Sequence, residues 1–223
     1  MRKYLLLLSC SALFTAPAYG QEVEENMDEL IDPYTRPQPV DQPVPVQIAT
    51  DVVSFSAGDS HSLFVKADGT LWGMGSQYGG VLGLGSTSSE SSASPVQIAT
   101  GVATVATGRS HSLFVKSDGS LWGMGSTRYG QLGVEDNSFR STPLQIASGV
   151  SMVALSSTHT LFIKTDGTLW GLGRNSSGQL GDGTTTNRSN PIQIASAVVT
   201  AYAGTGQSYF IRSDETLWTV GSN

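Results

Sequence analysis

The chain has 223 residues, a formal net charge of −6, 13% charged residues and a single cysteine. That length suits one large domain or two small ones. An acidic chain without basic clusters is a poor match for nucleic acid or for an anionic membrane surface, so neither partner is expected.

Arg2 and Lys3 precede a mostly apolar run from Tyr4 to Phe14, which Pro17 breaks. The run is shorter than the roughly 20 apolar residues that a membrane-spanning helix needs, and no membrane insertion is expected from it. Ala18-Tyr19-Gly20 places small residues at the −3 and −1 positions before Gln21. This is the layout of a secretory signal peptide, so residues 1–20 read as a signal cleaved after Gly20 and the mature chain as periplasmic or extracellular. A rival reading takes Leu7-Leu8-Ser9-Cys10 as a lipid-attachment box, although the apolar stretch before Cys10 is short for that. Cys10, the one cysteine, falls in the removed segment, so the mature chain is expected to be held by its core without disulfides. Residues 21–44 read as an acidic, Pro-rich linker. Glu22, Glu24, Glu25, Asp28 and Glu29 keep it solvated, and Pro33, Pro37, Pro39 and Pro43 keep it extended.

From Pro45 onward the chain repeats. Pro45-Val-Gln-Ile-Ala returns at Pro95, Pro143 and Pro191 with minor changes, and Trp72, Trp122, Trp170 and Trp218 keep the same spacing. A period of about 48 residues marks a solenoid, a propeller or an array. The repeat domain spans 45–223, with units 45–94, 95–142, 143–190 and 191–223.

Within the second unit, Val102 to Ala106 reads as a first strand and Ser112 to Lys116 as a second. Asp118-Gly119 is then expected to form a two-residue type I′ hairpin. Leu121 to Gly125 is the third strand, and Pro143 to Ala147, after a long polar loop, is the fourth. Proline at its start suits an edge strand. No segment keeps an apolar 3.6-residue period. One such sheet cannot cover both its faces, but stacked neighbours can. The expectation is an all-β, β-propeller-type array of four antiparallel four-stranded blades, as a four-blade ring or a partial propeller. Pro45–Ala49 could close the ring by pairing beside Leu217–Gly221; a second chain, in a homo-oligomer, could instead complete an open array. The fourth unit is eroded: Gln207 stands at the histidine position, Glu215 at the turn glycine and Thr219-Val220 at Gly-Met. It reads as a solvent-facing cap or as the edge of a fragment.

Ala106-Thr-Gly-Arg-Ser-His111-Ser-Leu, Asp118-Gly-Ser-Leu-Trp122-Gly and Gly130-Gln-Leu-Gly133 resemble the repeats of the regulator of chromosome condensation family. The first and third units carry the same pattern around His61 and His159. The resemblance covers Pro45 to Asn223 and implies a β-propeller, usually of seven blades. Nuclear members of the family act as guanine-nucleotide exchange factors, which an export signal makes a poor fit here. A secreted bacterial type, the beta-lactamase-inhibitor protein II-like members, binds enzymes through its loop face.

His61, His111 and His159 raise the question of a metal, but one histidine per repeat places them on separate blades, without cysteine or clustered carboxylates. Each is expected to cap a turn of its own blade, so no metal and no cofactor is expected. The tryptophans could stack on sugars, but they sit in strands beside glycines and are read as packing between blades. No phosphate loop, nucleophile elbow or zinc-protease motif occurs, and the chain is not expected to be an enzyme. The loops before each Pro-x-Gln-Ile segment vary freely. They carry Tyr78, Arg128, Tyr129, Phe139, Arg140, Arg174 and Arg188 among Ser, Gly and Asn, a composition suited to protein recognition. A protein partner, of an identity the sequence does not name, is therefore expected at these loops. The alternatives from other classes are a glycan-acting propeller enzyme and a structural part of a larger surface assembly.

Overall fold

Each blade begins from one short turn. In the computed structural model, which describes residues 44–222, the Asp-Gly turn is not type I′. Gly69 N–H donates to Lys66 C=O and Lys66 N–H to Thr70 C=O, both at 2.9 Å. Gly69 has φ +79, while Asp68 is not among the positive-φ residues. This is a three-residue loop, a type I turn followed by a left-handed residue in a G1 bulge. The aspartate caps it: Asp68 Oδ1 accepts from Thr70 N–H at 2.9 Å and Thr70 O–H at 2.6 Å, and Thr70 Oγ1 accepts from Trp72 Nε1–H at 2.8 Å. The same relay recurs as Asp118–Ser120–Trp122, Asp166–Thr168–Trp170 and Asp214–Thr216–Trp218. A lysine or arginine lies over each indole ring, from Lys66 at 5.0 Å to Arg212 at 4.3 Å.

The strands group as the repeat demands. The first sheet holds β1 (Val52–Ala57), β2 (His61–Lys66), β3 (Leu71–Ser76) and β4 (Ser91–Ala99). The second holds β5 (Val102–Thr107), β6 (His111–Lys116), β7 (Leu121–Ser126) and β8 (Phe139–Ala147). The third holds β9 (Val150–Leu155), β10 (His159–Lys164), β11 (Leu169–Gly173) and β12 (Arg188–Ala195). The fourth holds β13 (Val198–Ala203), β14 (Gln207–Arg212) and β15 (Leu217–Gly221). All pairings are antiparallel in chain order. Among the described residues the fourth blade thus has three strands, where four were expected, and β15 has β14 as its ladder partner. Residues 45–49 form no strand, so they do not close a ring against β15. The signal segment and nearly all of the linker lie outside the described residues.

The fourth strands start earlier than the proline. β8 begins at Phe139, with Pro143 in its middle. The ladder skips there, since Gly123 pairs with Leu144 and Gly125 with Arg140. An outermost strand tolerates the missing donor.

The core lies between blades rather than within them. Leu63, Val65, Leu71 and Leu82 of blade 1 pack with Val102, Val105, Phe114 and Met124 of blade 2. Leu113, Val115, Leu121 and Leu132 meet Val150, Phe162 and Leu172 of blade 3. Leu161, Ile163 and Leu169 meet Val198, Ala201 and Phe210 of blade 4. Trp122 and Trp170 pack against the first two of these layers, in line with their expected role between blades, and stack on Phe114 and Phe162.

Polar contacts fix the same seams. On the turn side, Val102 N–H donates to Gly69 C=O, Val150 to Gly119 and Val198 to Gly167, each at 2.9 Å. The histidines, expected to cap their own blades, reach across instead. His61 Nε2 lies 2.7 Å from Ser112 Oγ, His159 Nε2 lies 3.0 Å from Ser208 Oγ, and His111 Nε2 lies 3.5 Å from Thr160 Oγ1. Thr160 and Ser208 donate in turn to the carbonyls of Gln131 and Gln179, in the Gly-Gln-Leu-Gly loops of the preceding blades. Only His159 has a second partner on its own blade, Ser156 Oγ at 2.7 Å, where the first two units have Gly58 and Gly108.

Burial lowers the pKa of His61 and His159 to about 4 and of His111 to about 3. An unfolded histidine titrates near 6.5, so below that pH the unfolded chain binds more protons than the folded one. Stability present above pH 6.5 is therefore expected to fall as pH drops toward 4, by about 1.4 kcal/mol per histidine per pH unit. Urea melts at pH 7, 6, 5 and 4 measure this, and a flat profile would contradict it. A second expectation concerns Glu215, which occupies the left-handed turn position at φ 64. Glu215→Gly is expected to relieve about 1 kcal/mol of backbone strain and raise the melting temperature by roughly 2–4 °C. Calorimetry reads the shift.

Candidate functional site

Antiparallel order puts the first-to-second strand loops of all four blades and the third-to-fourth loops of the first three on one side, opposite the hairpin turns. On this loop side the third-to-fourth loops leave β3, β7 and β11 and fold back to β4, β8 and β12. Each begins with a tight segment whose leucine is buried: Leu82, Leu132 or Leu180. In the first two loops that segment lies beneath the outer strand of the next blade. A Cβ on Gly80 would stand 2.7 Å from Arg140 O, and one on Gly130 would stand 2.7 Å from Ser189 Cα. Only glycine permits that approach, and both residues also hold φ near +80. The close packing brings the loops of neighbouring blades side by side.

Two groups of the sequence-chosen residues meet as a result. Tyr78, in a 3₁₀ turn at Tyr78–Gly80, places its ring 6.0 Å from that of Phe139, the first residue of β8 on the next blade. Both rings are exposed, Tyr78 at 64% and Phe139 at 44%. The Tyr129 ring carries Arg128 at 5.6 Å and Arg174, from the next blade, at 5.4 Å. Both guanidinium groups are exposed, and neither joins a salt bridge among the described residues.

Arg140 and Arg188 are engaged differently. Arg140 pairs with Asp136, and Arg188 Nε donates to Asp182 Oδ2 at 2.7 Å. These arginines shape their own loops. Burial pushes the Asp182 carboxyl up, but bonds from Thr184, Arg188 and Asn175 outweigh it and hold its pKa at about 2. Asn175 is fully buried and supports the whole loop: its Nδ2 donates to Asp182 and Thr184 C=O, and its Oδ1 accepts from Leu180 N–H. The amino-acid sequence shows Asn175 only as a formal glycosylation sequon and Asp182 only within Gly181-Asp-Gly-Thr, and their part in supporting the loop does not emerge from it. The one signal for them was an Asp-Gly-Thr triplet recurring outside the hairpin position.

Nearer the axis, the first-to-second strand loops of all four blades surround a shallow mouth lined by Asp59, Arg109, Ser157 and Thr205. Asp59 and Arg109 approach to 3.4 Å there as an exposed pair. Such a pair contributes little to stability. The three histidines do not line this mouth but sit directly behind it, where Ser156 of its wall bonds His159, and among the described residues no three His, Cys, Asp or Glu side chains converge as metal ligands.

The repeat geometry agrees with comparison to known proteins. The family description "Regulator of chromosome condensation (RCC1) repeat" matches residues 68–115, 118–163 and 166–211, and a second description of the same repeat matches 52–80, 102–131 and 150–179. The chain belongs to the regulator of chromosome condensation repeat family. No curated protein sequence matches it. Its fold is similar to that of human WBSCR16, with a TM-score of 0.66, 25% identity, and coverage of 76% of this chain and 47% of that one. It is also similar to Prp20p of Saccharomyces cerevisiae, with a TM-score of 0.66, 20% identity, and coverage of 80% and 47%. The chain thus spans about half the length of these structures.

Replacing Asp182 with alanine leaves the buried Asn175 amide short of an acceptor and frees Arg188. An unmet buried donor costs about 1–3 kcal/mol. Asp182→Ala is expected to lose stability in that range, whereas Asp59→Ala, at the exposed mouth pair, stays within about 0.5 kcal/mol of the parent. Chemical denaturation of both variants reads the difference.

Proposed function

We propose that this protein is an exported binding module that holds a protein partner on its loop face. The observation that carries this reading is the cluster of Arg128, Tyr129 and Arg174, on the same loop side as the exposed Tyr78 and Phe139 rings. Two guanidinium groups without a carboxylate partner among the described residues stand on a chain of net charge −6. Tyrosine and arginine at the centre of an interface supply large contact area and charge-assisted hydrogen bonds. A partner surface with exposed carboxylates beside an apolar patch has the matching chemistry.

Two further considerations support binding rather than catalysis. The histidines are buried in seams, neutral, and committed to hydroxyl partners, which suits cohesion and not proton transfer to a solvent-exposed substrate. And relatives of the fold bind proteins: the yeast Prp20p structure was described with its binding to Gsp1p and histones, and yeast RCC1 (Prp20) has been seen bound by Kap60. Export rests on residues 1–20, and the encounter would then occur in the periplasm or outside the cell.

The test uses a photo-crosslinking side chain at Tyr129, and as control at Lys66 on the turn side, in cells that produce the protein. One defined protein adduct is expected from Tyr129 and none from Lys66. Arg128→Glu with Arg174→Glu is then expected to weaken partner binding at least tenfold, with the melting temperature unchanged. Equal crosslinking from both sides, or unchanged binding by the double variant, would refute the loop face as the site.

A further inference from the structure

The third-to-fourth loops of blades 2 and 3 are tied to the seams behind them, and that of blade 1 is not. Gln131 and Gln179, in the Gly-Gln-Leu-Gly segments, are both buried. Gln131 Oε1 accepts the backbone N–H of Tyr129 at 2.8 Å, and Gln179 Oε1 accepts that of Ser177 at 2.9 Å. Their backbone carbonyls accept the hydroxyls of Thr160 and Ser208 from the following blade, at 3.0 and 2.7 Å. A hydroxyl has one proton to donate, so Thr160 and Ser208 can only accept from His111 and His159 Nε2–H. The relay therefore has a fixed direction: imidazole to hydroxyl to glutamine carbonyl, with the glutamine side chain holding the loop.

Blade 1 shows the same loop without the glutamine. Val81 takes its place, and among the described residues Ser112 bonds His61 but not the Val81 carbonyl. The turn there follows another course. Gly79, which aligns with Tyr129, holds φ +71, whereas Tyr129 and Ser177 are not among the positive-φ residues. Where the side-chain acceptor is missing, the turn uses the left-handed conformation that glycine allows, and it carries no ring at that position.

Gln131 also touches the other half of the cluster. A Cβ on Gly173 would stand 3.0 Å from Gln131 Cβ, and Gly173 directly precedes Arg174. One buried side chain therefore lies against the loop that carries Arg128 and Tyr129 and against the strand end that launches Arg174, while its own carbonyl holds the seam hydroxyl of Thr160. We infer that Gln131 is a positioning residue. It sets Tyr129 against Arg174 across the seam of blades 2 and 3, and it makes the shape of that cluster depend on the seam being closed. Its value to recognition rests on the loop-face reading; the coupling itself does not.

Amide exchange followed residue by residue by NMR on the full chain tests this, together with the shifts of the Arg174 side chain, which the Tyr129 ring perturbs. Gln131→Met keeps length and bulk, but its sulfur accepts only weakly, and blade 1 already carries an apolar residue at this position. Thr160→Val keeps shape and removes the hydroxyl that joins loop to seam. Both variants are expected to exchange the Tyr129 amide roughly tenfold faster than the parent, with the Arg174 shifts moving toward their unfolded values and the Gly79 amide of blade 1 unchanged. An unchanged Tyr129 rate in either variant, Arg174 shifts that stay in place, or protection lost evenly over all blades overturns the inference. Binding of the protein that crosslinks at Tyr129 separates the two readings. Weaker binding by Gln131→Met supports both, whereas equal binding overturns the positioning role and leaves the loop face standing. If no protein crosslinks, the loop face is refuted and the exchange rates alone decide the role of Gln131.

Discussion

A four-stranded sheet with apolar residues on both faces cannot bury either by itself, and every other feature of this protein answers that constraint. Its side chains alternate across the sheet, so one row of valines and phenylalanines faces back and one row of leucines faces forward. Leu71, Leu121 and Leu169 disappear from solvent only because a following blade is present. Stability in such an array is close to a sum of blade terms and nearest-neighbour seams, which puts the cohesion of this chain in its three seams.

The seams combine apolar contact with a small amount of directional bonding. Apolar faces alone would allow neighbouring sheets to slide. The histidine and the hydroxyl of the next blade, with the loop carbonyl behind it in the second and third seams, form a buried chain that sets the register between blades. Its cost is the exclusion of charge, which burial imposes on the imidazoles. The Gly-Gln-Leu-Gly segment links this cohesion to function: the glycine that lets one loop slip under the next outer strand also sets Tyr78 beside Phe139 and Tyr129 beside Arg174. Recognition residues on separate blades become one surface through the packing that holds the blades together.

Much of this is legible in the amino-acid sequence. Alternation within Ser112 to Lys116, the Asp-Gly punctuation and the recurrence of Trp at fixed spacing point to the strands, the blade and the array. The parts that escape are those where a local pattern has two geometric solutions. Asp-Gly fits both a type I′ turn and a type I turn with a G1 bulge; the preceding Ala67 and the Asp68 carboxylate, bonded to Thr70, favour the second. The histidines resemble local caps because sequence distance hides a partner some 50 residues away on the next blade. Pro143 resembles a strand start because a missing donor ordinarily ends a ladder, yet the outermost strand runs past it from Phe139. Composition alone selects the loop residues, and composition does not distinguish Arg140 and Arg188, held by Asp136 and Asp182, from Arg128 and Arg174, which are exposed with no carboxylate partner among the described residues, Arg174 donating only to Ser176 Oγ.

The claim on which the rest depends is that the histidine-to-hydroxyl bond couples one blade to the next. A double-mutant cycle on His159→Ala and Ser208→Ala, read by equilibrium denaturation, tests it most directly. Their contact spans blades 3 and 4 at 3.0 Å. The account predicts a coupling of about 1 kcal/mol, with both single variants destabilised. Additive effects, with no coupling, would contradict it and leave the seam as apolar contact alone.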